Sequence, residues 1–247
     1  MPIEDRQLPQ KTDSPLAGKT ALVTGASRGI GRSIAVQLAR LGAGLLLVAR
    51  DEHALEAAQQ QIASDGGSAD ILPCDLTSSA ALAELTTNVD SSRGCDILIN
   101  AAGIGKIGAL LHEMPIADFD AVLATNLRAP FLLMHTLIPH MIARGGGHIV
   151  NISSLAGQGP LAHGAAYAAS KWALNGLSYS AAEELRARNI RVSVIAPGSV
   201  DTEFGRGGKD RSKMLQPEDV ANVAIMLVTQ PPQSFISEVR MRPTQKP

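Results

Sequence analysis

The sequence predicts an α/β protein of three layers, a doubly wound parallel sheet with helices on both faces. Three observations carry that prediction. Short apolar runs recur at a regular beat along the chain. They are nearly continuous rather than alternating, the pattern of strands covered on both sides. Segments of helical character separate them, and right-handed crossovers between parallel strands then place helices on both faces.

Taken in order, the N-terminal "MPIEDRQLPQKTDSPLAGK" mixes charge and proline and has no apolar core of a secretory signal. It reads as a mobile tail over residues 1–17. The strands expected are Thr20–Gly25, Leu45–Arg50, Ala69–Cys74, Cys95–Ala101, His148–Ser153 and Val192–Pro197, with Ser237–Pro243 as a possible edge strand. Between them lie helical segments such as "GRSIAVQLARLG", "EHALEAAQQQIASDGG" and "YAASKWALNGLSYSAAEELRARN", several ending at Gly or Asn as C-caps do. No linker or repeat interrupts the beat, so residues 18–247 are expected to form one domain. A flavodoxin-like or other open α/β sheet fits the beat equally well.

Composition narrows the function. Of 247 residues 45% are apolar, 18% charged and 3% aromatic, and the net charge is −1. That is the profile of a globular protein with a sizeable core, without the basic surface or stacking aromatics of a nucleic-acid partner. The apolar stretches break at His, Pro or Gly short of a membrane span of ~20 residues. Cys74 and Cys95 lack metal-like spacing and read as core fillers in a reducing compartment. A cytoplasmic enzyme is the expectation.

The stretch "VTGASRGIG" decides between the sheet types. It follows the first strand and opens a helix, with glycines at 25, 29 and 31. Such a loop turns tightly out of a strand and lets a pyrophosphate approach backbone N–H groups at the positive end of a helix. In this context it marks a Rossmann-type dinucleotide site.

"TGASRGIG" resembles the cofactor loop of the short-chain dehydrogenase/reductase superfamily. "NAAG" at Asn100–Gly103, "TN" at Thr125–Asn126, "SS" at Ser153–Ser154, "YAASK" at Tyr167–Lys171 and "PG" at Pro197–Gly198 agree with it in order and spacing. The resemblance covers residues 18–205. It implies cofactor contacts from Gly25, Ser27, Arg28, Gly29, Ile30 and Gly31. It also implies contacts from Asp75 and Leu76 to the adenine, and from Asn100, Ala101 and Gly103 along the nicotinamide-side ribose. Pro197, Gly198, Val200 and Thr202 are implied at the carboxamide end, and Tyr167 and Lys171 at the ribose.

The second strand ends Ala49, Arg50, Asp51. Asp51 has the spacing of a ribose ligand, but it also suits the N-cap of the following helix, which is the preferred reading. Arg28 and Arg50 are two guanidiniums flanking the adenosine ribose, a pairing suited to a 2′-phosphate. In the superfamily basic residues there accompany NADP, so NADP(H) is the expected cofactor.

Four side chains fit carbonyl/alcohol redox chemistry. Tyr167 and Lys171 stand one helical turn apart and share a face. A nearby ammonium favours the phenolate, bringing a group that ionises near ~10 toward neutral pH. Ser154, thirteen residues before Tyr167, is placed to hold the substrate oxygen. By resemblance Asn126 binds a water that connects Lys171 to solvent, and Pro130 predicts a local kink. Singly, each has a plain alternative: a packed Tyr beside a snorkelling Lys, a turn Ser, an irregular Asn. Together, behind a dinucleotide loop, they point to catalysis.

By resemblance residues 203–216 form a substrate flap, with cations Arg206, Lys209, Arg211 and Lys213. They suit an anionic or acyl-carrier substrate, or simply a solvated loop. His163 borders the pocket or lies in solvent. The ending "SFISEVRMRPTQKP" departs from the glycine-rich ending of oxoacyl reductases, which weakens a role in fatty-acid synthesis. The apolar segments Phe131–Ile142 and Trp172–Ala182 suit subunit packing, so a homo-oligomer, dimer or tetramer, is expected. The alternatives are a silent NADP-binding sensor, a 3-oxoacyl-thioester reductase, and an epimerase or dehydratase of the extended branch. Only 45 residues follow Thr202, few for that branch's larger substrate region.

Overall fold

The computed structural model describes residues 14–92, 94–205 and 210–247. Seven strands form one parallel sheet: β1 (Thr20–Thr24), β2 (Gly44–Ala49), β3 (Ser68–Pro73), β4 (Ile97–Asn100), β5 (Gly147–Ile152), β6 (Ile190–Pro197) and β7 (Glu238–Met241). Their spatial order is β3-β2-β1-β4-β5-β6-β7. The chain therefore winds outward one way from β1 and returns to begin the other half at β4. The crevice above the carboxyl ends of β1 and β4 is where such sheets bind ligands.

Among the described residues seven α-helices cover the two faces: α1 (Gly29–Arg40), α2 (Glu52–Ser64), α3 (Ser79–Ser92), α4 (Ile116–Leu123), α5 (Ala129–Ala143), α6 (Ala165–Leu185) and α7 (Pro217–Val228). Ile34, Leu38, Leu55, Ile62, Val220 and Leu227 of α1, α2 and α7 build one core. Leu85, Leu133, Leu137, Met141 and Ala182 of α3, α5 and α6 build the other. Along β1, Val23 enters the first core and Leu22 the second; along β4, Ile99 and Leu98 divide likewise. Successive side chains point to opposite faces, and both faces are apolar, which is why the strands read as continuous runs. Strand β7 is the edge strand expected near Ser237–Pro243, and it is parallel.

The tail is shorter than residues 1–17. Leu16 is buried in the first core, and its N–H donates to the Leu41 carbonyl at 3.0 Å. The rest of the expected tail, residues 1–13, lies outside the described residues. Asp51 is the N-cap of α2, accepting from the Ala54 N–H at 3.1 Å. Cys74 and Cys95 are buried free thiols, and burial pushes Cys95 up to about 12.

Pro130, where a local kink is expected, follows closely on a π turn, itself a common site of helix bending. Residues Ile116–Ala143 run as one helical segment, with a π turn at Ala124–Arg128 where the Ala129 N–H reaches the Ala124 carbonyl. The missing proline donor falls just past this wider turn. By length and composition this 28-residue segment, with mean hydropathy 1.3 over an 18-residue window, could cross a membrane, although Pro130, His135 and Pro139 break its apolar stretches as the sequence reading has it. Leu133, Leu137 and Met141 pack it into the second core.

Candidate active site

The glycine loop closes β1 against the neighbouring strand. Gly25 has φ +65°, and a Cβ there would stand 2.9 Å from the backbone of Ala102. A Cβ on Gly31 would come within 2.3 Å of the Gly25 carbonyl oxygen. Helix α1 starts immediately afterwards with Arg28 as N-cap, no side-chain cap bond and no acidic residue in its first turn. Ser27 and Ile30 flank the turn, Ile30 resting on the first core. Close backbone approach and uncapped helix N–H groups fit a pyrophosphate.

Thr24 ties this loop to the next. Its hydroxyl donates to the Ile99 carbonyl at 3.2 Å and accepts from the N–H groups of Ala101 and Ala102 at 3.1 and 3.2 Å. Asn100 differs from expectation: its side chain is buried and donates to Asn151 Oδ1 at 2.8 Å, and Asn151 in turn donates to the Ser178 hydroxyl at 2.8 Å. Its Nδ2 serves the sheet, while its Oδ1 is buried with no hydrogen-bond partner among the described residues. Leu76 likewise turns its side chain into the second core, whereas Asp75 is exposed. Hydrogen bonds from the Thr77 N–H and hydroxyl hold the Asp75 carboxyl below its ordinary range, with a smaller contribution from the Arg50 charge.

The four expected reacting residues gather beside the carboxyl ends of β4 and β5. Asn126 lies in the π turn and is 0% exposed. Its Oδ1 accepts from the Ile104 N–H at 2.9 Å, and its Nδ2 donates to the Ile104 carbonyl at 2.9 Å and to the Ser170 hydroxyl at 3.0 Å. Pro130 cannot donate to the Asn126 carbonyl, the acceptor four residues back. A Cβ on Gly103 would sit 3.4 Å from Asn126 Oδ1 and 3.7 Å from Lys171 Nζ, so Gly103 lies between them.

Lys171 is 4% exposed and donates to the Ile152 carbonyl at 2.8 Å. Burial lowers its ammonium to about 8. Tyr167 is 8% exposed, and Lys171 Nζ stands 5.8 Å from its ring centroid. The expected lowering of the phenol does not appear: burial raises it, and the Ser154 hydroxyl acts against that rise. Ser154 caps the 3-10 turn Leu155–Gly157, its Oγ accepting from the Ala156 N–H at 3.1 Å.

The loop after β6 completes the site. The Gly198 N–H donates to the Met241 carbonyl at 2.9 Å, and Val200 pairs with Leu215 in a parallel bridge. Thr202 meets the glycine loop, its Cγ2 standing 3.2 Å from where a Gly29 Cβ would be. The next two residues face different parts of the site. Glu203 pairs with Arg28 at 2.7 Å, and the Phe204 ring lies 5.5 Å from the Tyr167 ring, tilted by 52°. Of the flap cations, Arg211 pairs with Asp201 and Lys213 with Asp210. Arg206 and Lys209 lie outside the described residues. His163 is exposed with φ +57°, and its carbonyl accepts from the Gly108 N–H.

Thr24, Ser170, Asn175, Glu203 and Phe204 escape the sequence reading. The "VTG" and "YAASK" motifs contain the first two, but no spacing signals the partners of the others. The sequence profile of the short chain dehydrogenases matches residues 19–212. A short chain dehydrogenase of Pseudocercospora fijiensis is 35% identical over 218 residues, covering 87% of this chain and 67% of that one. A sepiapterin reductase of Chlorobaculum tepidum is 32% identical over 233 residues, covering 90% and 95%. A solved metagenomic short-chain oxidoreductase in complex with NADP is 50% identical with TM-score 0.85, covering 94% of this chain and 100% of that one.

Proposed function

The chain belongs to the short-chain dehydrogenase family, and we propose that within it the protein is an NADP(H)-dependent oxidoreductase that interconverts a ketone or aldehyde with the corresponding alcohol. The observation that carries this reading is the position of Tyr167 and Lys171, one turn apart on α6, with the Ser154 hydroxyl acting on the phenol. The cofactor is carried over from the NADP-bound metagenomic relative and supported by the two arginines. Arg28 and Arg50 would hold the 2′-phosphate, and Gly25, Ser27, Gly29, Ile30 and Gly31 the pyrophosphate. Asp75 and the Leu76 backbone would border the adenine. Ala101, Gly103, Pro197, Gly198, Val200 and Thr202 would line the nicotinamide half, with Asn100 supporting them from the sheet.

NADPH held by these residues would supply a hydride to the carbonyl carbon. Tyr167 gives its phenolic proton to the carbonyl oxygen, and takes one back in the reverse direction. Ser154 donates a hydrogen bond to the same oxygen as charge develops there. Lys171 favours the phenolate that remains and holds the ribose. The Asn126 carbonyl, which Pro130 cannot serve, holds the water through which Lys171 regains contact with solvent.

Residues 203–216 act as the substrate flap. Phe131 on α5 and Trp172 and Tyr179 on α6 are exposed aromatics suited to joining copies of the chain as a homo-oligomer in the cytoplasm. A panel of ketones, 3-oxoesters and aldehydes followed by NADPH absorbance tests the reading. Turnover of at least one carbonyl, with kcat/KM higher for NADPH than NADH, is expected. No turnover would remove the oxidoreductase reading, and equal or better use of NADH would remove the NADP assignment.

A further inference from the structure

Two of the reacting groups have visible tethers. Asn126 is bonded to Ser170 of α6, and Lys171 of α6 is bonded to the end of β5. Ser154 sits on a separate short turn, and its placement relative to Tyr167 needs a tether of its own.

We propose that Asn175 is a positioning residue that fixes the Ser154 turn against the helix carrying Tyr167 and Lys171. Tyr167, Lys171 and Asn175 follow one another at four-residue steps, so all three share one face of α6. Asn175 is 3% exposed, and its Nδ2 donates to the Gly157 carbonyl at 3.0 Å. Gly157 in turn donates its N–H to the Ser154 carbonyl at 2.9 Å, and the Ala156 N–H donates to the Ser154 hydroxyl. The chain of bonds thus runs from α6 to the residue that touches the substrate.

The turn also lies directly on the helix. A Cβ on Gly157 would stand 2.8 Å from Asn175 Nδ2 and 2.9 Å from the Lys171 carbonyl oxygen. A buried amide is a costly occupant of a helix interior, and Asn is a weak helix former. Asn175 Oδ1 has no hydrogen-bond partner among the described residues, so the bond to Gly157 is what the side chain contributes. Leucine would fill the same space without that cost. Retaining an amide there makes sense if the turn must be held in register, because a small displacement of a reacting group costs far more in rate than in stability.

This inference rests on Ser154 and Tyr167 acting as a pair, and its test has a readout independent of turnover. The chain has two tyrosines, so a Tyr179→Phe background leaves Tyr167 alone. With 3-fluorotyrosine incorporated, its 19F signal reports ionisation of that single phenol. Asn175→Leu should move the titration midpoint upward, in the same direction as Ser154→Ala, and the double variant should move it no further than Ser154→Ala alone. In turnover, Asn175→Leu should lower kcat about tenfold while the NADPH dissociation constant stays unchanged. Gly157→Ala, which pushes the turn from the other side, should do the same and serves if Asn175→Leu fails to fold. A midpoint that shifts in Ser154→Ala but not in Asn175→Leu or Gly157→Ala overturns the proposal. A midpoint unmoved even by Ser154→Ala overturns it together with the Ser154–Tyr167 pair. Wild-type protein that turns over no carbonyl, yet shows the expected shifts, refutes the proposed reaction and leaves the positioning role standing.

Discussion

Arg28 and Glu203 are 175 positions apart in sequence, and their side chains meet at 2.7 Å at the mouth of the cofactor loop. Both are largely exposed, so the pair contributes little to stability. On the proposed reading its weight falls on binding, since a 2′-phosphate held by Arg28 would share it with a carboxylate. Glu203→Gln is expected to tighten NADPH binding about two- to fivefold at low ionic strength, the range of an exposed ion pair. The effect should shrink as salt is added. Arg28→Ala should weaken NADPH and leave NADH almost unchanged. Fluorescence titration of both nucleotides at two salt concentrations measures this, and equal losses for both would contradict the phosphate role.

Tyr167→Phe should lower kcat by about 10²- to 10⁴-fold, the usual contribution of a positioned general acid. NADPH affinity should change little, because the ring and its packing against Phe204 remain. Single-turnover absorbance separates the two parameters.

The buried ammonium of Lys171 makes stability depend on pH in a defined window. Its proton is held to about 8 in the folded chain and to 10.5 in the ordinary state. Between those values the unfolded chain binds more protons, so this group's opposition to folding fades as pH rises. Below about 8 that opposition is fully present. Lys171→Met removes it, so the variant's Tm relative to wild type should be most favourable near pH 7 and decline toward pH 10.5. A difference in Tm that stays flat across the window would contradict the shift.

Gly31→Ala places a methyl group 2.3 Å from the Gly25 oxygen, where backbone rather than a flexible side chain must yield. We expect a loss of about 1–3 kcal/mol in stability, the scale of overpacking, and NADPH binding reduced below detection. Denaturant unfolding and nucleotide titration check both parts.

The sheet, its two-sided cover and the glycine loop were legible because each leaves a local trace: an apolar run, a helical period, a strand–Gly–helix junction. Tyr167, Lys171, Ser154 and Asn126 were legible through motif order. What the sequence hid were bonds between distant side chains. Nothing around Asn175 announces Gly157, and nothing around Glu203 announces Arg28. Asn100 misled because a motif position carries no record of which way a side chain points. Leu16 was hidden by its charged, proline-rich neighbours, which set the local average though one leucine makes the core contact. The π turn was not foreseen because proline shows where a helix bond is lost, not how the backbone redistributes it.

The sheet's outermost strand on one side, β7, is also late in the chain, and the Met241 carbonyl receives the Gly198 N–H. A ribosome that has released residues only as far as α7 has delivered the glycine loop, Ser154, Tyr167 and Lys171, but not the support under the Pro197–Gly198 loop. Parallel strands paired across long stretches of chain form slowly, and chains fold from the N-terminal side as they emerge. The Pro197–Gly198 loop therefore gains its support from β7 only after the rest of the sheet has been synthesised. A nascent chain stalled before β7 should carry a nearly complete fold that cannot yet hold its nucleotide.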